Sequence, residues 1–137
     1  MKRVTPVILA ATGSLVVLDI VGAITGKPLG FPYSPLSAVS LLIYLTVGWL
    51  GSVRAGFGGG VAAAAAVGFL DGTLGPLAAW LIGPGPVGQT ITEPRVFAYG
   101  IAVVTATALA AGLVGALPAG WLDRRRGLRT SSSVIPH

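Results

Sequence analysis

An all-α integral membrane bundle of four antiparallel helices is the fold class this sequence predicts, and three observations predict it. Only 9% of the 137 residues are charged and 53% are hydrophobic, with a mean hydropathy of +0.85, where an ordinary soluble domain carries about 25% charged residues. The apolar residues fall into long runs separated by Pro- and Gly-rich segments. The length allows four spans and little else, because a hydrocarbon core about 30 Å thick takes about 20 helical residues at 1.5 Å each.

The first span is expected over 4–24, after the basic start Met1-Lys2-Arg3, broken only by Thr5, Pro6, Thr12, Ser14 and Asp19. Residues 25–35 hold Pro28, Pro32 and Pro35 with Gly26 and Gly30, so they are expected to form a loop; Phe31 and Tyr33 suit a membrane interface. A second span is expected over 36–53 and a third over 57–82. One unbroken helix over 36–82 would be about 70 Å long, more than twice the hydrocarbon thickness, so the chain must turn between Gly51 and Gly56. Residues 83–95 form a second Pro/Gly-rich loop. The fourth span covers 96–117 and is expected to stop at an interface marked by Pro118, Trp121 and the basic run Arg124, Arg125, Arg126 and Arg129. The four spans make one domain over 1–129, and 130–137 is expected to be a flexible cytoplasmic tail.

Counting Lys and Arg in the short loops assigns the sides. With both termini in the cytoplasm, Lys2, Arg3, Arg54, Arg124, Arg125, Arg126 and Arg129 lie inside, against Lys27 and Arg95 outside. Seven against two points to the plasma membrane of a prokaryote, with these residues as anchors at anionic headgroups. The first span followed by Val21-Gly22-Ala23 also matches the layout of a cleavable signal peptide. The apolar run is longer than a typical signal core, however, and Asp19 crowds the small-residue site, so a retained span is preferred.

Composition excludes several chemistries. There are no cysteines and the single histidine is His137, which removes the usual ligands of zinc, haem and iron–sulfur centres and the base of a serine triad. No metal or other cofactor is expected. The net charge of +5 is carried at segment ends and not on a polar face, so the basic balance reads as topology and lipid contact, with no nucleic acid as partner.

Three features could carry function. Gly56, Gly60, Ala64, Gly68 and Gly72 recur every four residues and on a helix form one small-residue ridge that lets another backbone approach closely. Packing inside the monomer is preferred to a subunit interface, and the third span is expected at the centre of the bundle. Gly72-Thr73-Leu74-Gly75-Pro76 then predicts a kink or break, because proline removes a backbone donor.

Asp19 and Asp71 are the acids inside apolar spans, and an intramembrane acid is a functional-site hypothesis by default. Each lies about 21 to 23 Å from the inner end of its span at 1.5 Å per residue. At equal depth the pair could face each other, share a proton or bind a cation. The preferred expectation is local: Asp71 bonded near Thr73 and the backbone freed at Gly75-Pro76, Asp19 near the outer surface. On these grounds the first expectation for function is a non-enzymatic structural or accessory membrane subunit. It would pack through its small-residue face against itself or another membrane protein. The alternative is an oligomeric transporter or channel for protons, ions or small solutes that uses Asp19 and Asp71.

Overall fold

A computed structural model of the chain describes residues 4–29, 34–82 and 93–131, leaving aside the side chains of 23–29, 34–36, 79, 82, 120 and 122–131. The described residues are all-helical: α1 Thr5–Leu29, α2 Ser34–Ile82 and α3 Pro94–Ser131. All three are long and apolar enough to cross a membrane. Helix is the form hydrocarbon demands, because it pairs every backbone N–H and C=O within the segment itself. The outward side chains agree: Leu9, Leu42, Leu81, Tyr99 and Leu117 are each more than 60% exposed, a surface that water would penalise and lipid does not.

α2 is not straight. Gly56 has φ 77° and ψ 172°, the only non-helical backbone inside it, and there the chain folds back. On a straight helix Tyr44 and Asp71 would stand about 40 Å apart, yet their side chains are hydrogen bonded. A Cβ added to Gly51 would lie 2.8 Å from the Cα of Gly60. The reversal thus divides α2 into arms 34–55 and 57–82, at the far end of the interval expected from length.

This α2 hairpin is the centre of the fold. α1 and α3 each pack on it and, among the described residues, not on each other. α3 runs antiparallel to arm 57–82: Ala64 meets Gly112, Gly68 meets Ala108, and Gly72 meets Ile101. Arm 34–55 also reaches α3, through Gly48 against Gly112 and Leu45 against Gly115. The buried core is mostly small or branched, with Leu15, Val47, Ala63, Ala64, Val67 and Ala108 around Tyr44. Small side chains let backbones approach where lipid has removed the hydrophobic drive, leaving dispersion contacts to hold helices together.

Helix ends and breaks depart from expectation in three places. α1 continues past Ile24 through Lys27 and Pro28 to Leu29, and α3 continues through Pro118 to Ser131, 14 residues beyond the expected stop at 117. At Pro76 no break occurs: helical backbone runs through it. One proline cancels one i to i−4 bond, and in a membrane helix held by neighbours that loss is absorbed without breaking the helix. The side chains of Lys27, Arg124, Arg125, Arg126 and Arg129, and residues Lys2, Arg3, Phe31, Tyr33, 83–92 and 132–137, lie outside what the structure describes. The first two residues of the expected tail, Thr130 and Ser131, belong to α3.

Candidate functional site: an intramembrane carboxyl pair

The reversal at Gly56 sets which residues of the two α2 arms share a level. Tyr44 is 12 residues before it and Asp71 is 15 after, so they stand about 18 and 22 Å along their arms, a difference that a tyrosine side chain spans. The Tyr44 hydroxyl donates to Oδ2 of Asp71. The other carboxyl oxygen, Oδ1, is buried and has no hydrogen-bond partner. Asp19 comes from α1 and places its Oδ2 where a Cβ on Gly75 would be, with Oδ1 3.9 Å from that position. Gly75 is one helical turn beyond Asp71 on the same face, about 6 Å along the axis.

The Asp19 carboxyl therefore packs against α2 about one helical turn from the residue whose carboxyl Tyr44 holds. Two unit negative charges at such separations in a protein repel by a few kcal/mol. A proton or a cation shared between them removes that repulsion. Among the described residues no group of three His, Cys, Asp or Glu side chains comes together as a metal site.

The local-bonding expectation for Asp71 is not what the structure shows. The Thr73 hydroxyl donates to the carbonyl of Phe69 at 2.7 Å, so it is committed to its own helix, and Asp71 is served instead by Tyr44. Asp19 lies against Gly75. Two participants were not singled out from sequence. Tyr44 falls within the second expected span with no motif around it, and Gly75 belongs to the expected kink; its lack of a side chain is what admits the Asp19 carboxyl. The signal that could have found Tyr44 was its nearly equal distance from the turn, available once the turn is placed at Gly56.

The small-residue ridge is shared among neighbours. Gly56 is the reversal itself and has nothing within 4 Å of an added Cβ. Gly60 faces Gly48 and Ser52 of the other arm, whereas Ala64, Gly68 and Gly72 face α3, with added Cβ atoms on Gly68 and Gly72 3.2 and 3.1 Å from the Cα atoms of Thr105 and Ile101. Arg54 is exposed near the reversal, at the end of a groove between α1 and arm 34–55.

Comparison of this chain with family models, with curated proteins and with solved structures found no match. Inference about function rests on the chemistry of the site.

That chemistry makes one immediate prediction. Tyr44→Phe keeps the ring and removes the sole donor seen on Asp71, leaving a buried carboxyl without a partner, which costs about 1 to 3 kcal/mol. The variant should fold but melt earlier in detergent, and a melting temperature equal to that of the parent would show that the hydroxyl contributes nothing to holding Asp71.

Proposed function

We propose that the chain is a non-enzymatic, four-span membrane protein with both termini in the cytoplasm, and that it moves protons or small cations across a prokaryotic plasma membrane through Asp19 and Asp71. The observation that carries this reading is that Asp19 packs on Gly75, one helical turn from the Asp71 that Tyr44 holds, within helices that are otherwise apolar. Keeping two acids together at this depth is costly, and packing alone has no need of either. The spans of the reading are α1, the two arms of α2, and α3; the four-span count rests on the fold-back at Gly56.

In operation, the pair takes up one proton or cation at a time, because the shared charge relieves the repulsion of two carboxylates. Tyr44 holds one oxygen of Asp71 and leaves Oδ1 able to accept a bond from water, hydronium or a hydrated cation. Both acids lie about two-thirds of the way across a 30 Å core from the inner ends of their helices, so exchange with the outer side has the shorter path.

Reconstitution into vesicles with a trapped pH dye tests this reading. The parent protein should give a proton- or cation-dependent flux. Asp71→Asn and Asp19→Asn should each cut it at least roughly tenfold, as loss of an essential general acid–base group does, without lowering yield or altering elution. Undiminished flux in both variants would remove the mechanism.

The accessory-subunit reading stands second. It draws on Gly13, Gly58 and Gly100, where an added Cβ has nothing within 4 Å, leaving small-residue patches that another helix can approach. Co-purification of a partner that is lost in Gly100→Leu, together with absence of flux, is the result that would favour it.

A further inference from the structure

An open groove of about 520 Å³ runs between α1 and arm 34–55, with Ala10 and Ser14 on one wall, Val39, Thr46 and Leu50 on the other, and Arg54 at its end. Its two hydroxyls are already committed: Ser14 donates to the Ala10 carbonyl at 2.9 Å and Thr46 to the Leu42 carbonyl at 2.8 Å. What the groove offers along its length is hydrocarbon, and the one charge on its lining is the Arg54 guanidinium. The described acids lie elsewhere. Asp19 packs on Gly75, one helical turn from Asp71, and Glu93 immediately precedes α3, whose first residues lie at the end of arm 57–82 remote from Gly56.

We propose that this groove holds an acyl chain of one anionic phospholipid whose headgroup phosphate pairs with Arg54. The occupant must be an apolar rod with no hydrogen-bonding needs along its length and a negative group at one end. From Val39 to Arg54 the groove follows 15 residues, about 22 Å, so an acyl chain that reaches through one leaflet of roughly 15 Å lies within it along its whole length. Arg54 stands two residues before the reversal, where the chain turns at a membrane surface and headgroup phosphates lie. A guanidinium binds phosphate through paired, charge-assisted N–H bonds, which an ammonium reproduces only as a point charge. The site is separate from the carboxyl pair and does not depend on transport.

The full chain, equilibrated with vesicles of equal phosphatidylglycerol and phosphatidylcholine and then extracted in mild detergent, should retain one phosphatidylglycerol per protein by native mass spectrometry, in preference to phosphatidylcholine. Arg54→Gln should lower the retained phosphatidylglycerol about tenfold and leave phosphatidylcholine unchanged, the factor expected for loss of hydrogen bonds to a charged group. Arg54→Lys should fall between. Ala10→Phe, which fills the groove from an exposed position, should lower both lipids alike. Elution at the parent volume verifies that each variant is folded. Equal retention of the two lipids by the parent, unchanged phosphatidylglycerol in Arg54→Gln, displacement of the lipid by inorganic phosphate, or a dimer that Ala10→Phe dissolves without affecting lipid would each overturn the proposal.

Discussion

Gly48→Leu is expected to eliminate the folded protein. A Cβ at Gly48 would stand 2.7 Å from the Cα of Gly112 and 2.9 Å from its carbonyl carbon, so backbone meets backbone and no rotamer change can make room. Even one extra methylene in a packed core costs about 1 to 3 kcal/mol where side chains can shift; here the arm 34–55 and α3 would have to separate as rigid helices. Fluorescence-detected gel filtration in mild detergent should show loss of the monodisperse peak. The informative comparison is Gly13→Leu and Gly100→Leu, which add the same bulk where nothing lies within 4 Å and should elute and melt like the parent. A Gly48→Leu protein that does the same would mean that α3 does not cross arm 34–55 at this point.

Gly56→Val should be the second most damaging change, for a different reason. An added Cβ at Gly56 meets nothing within 4 Å, so the effect is one of backbone conformation alone. The combination of φ 77° and ψ 172° belongs to a region occupied essentially by glycine, and a side chain forced there costs about 1 to 3 kcal/mol, with a β-branched one at the upper end. The two α2 arms depend on this residue to meet, and the Tyr44–Asp71 bond depends on the arms. Gly58→Val, two residues on in helical backbone with equally open space, should instead gain the small helix-propensity difference between the two residues. Equal melting temperatures for Gly56→Val and Gly58→Val would show that the reversal does not need glycine.

The two changes also separate what could be read from the chain and what could not. The apolar runs and the need for a turn near Arg54 are legible because the bilayer imposes a length and a polarity on every segment independently of its neighbours. Helix ends were less legible. Pro118 and Pro28 marked stops that the helices ignore, since one lost hydrogen bond is small beside the continued pairing of the residues around it. Pro76 was misleading in the same way, and the glycine beside it mattered for space and not for bending.

The candidate site lay between these cases. Depth counting brought Asp19 and Asp71 to one level, which is a property of each helix taken alone. How close the carboxyls come depended on how the helices are rotated about their axes, and one residue of rotation is 100° of azimuth in a helix with 3.6 residues per turn. Tyr44 was invisible as a partner until the two arms were placed against each other.

By itself, then, the sequence determined that this protein is built of apolar helices suited to a membrane, that the chain must turn near Arg54, and that two acids lie within the apolar runs. Tertiary structure alone decided that the turn falls on a left-handed glycine, that Gly48 and Gly112 touch, and that Asp19 rests in the space beside Gly75 while Tyr44 holds Asp71. The physical reason is that lipid tests each helix for length and polarity, whereas rotation and crossing are set by contacts between small residues, and those contacts exist only when the helices are packed.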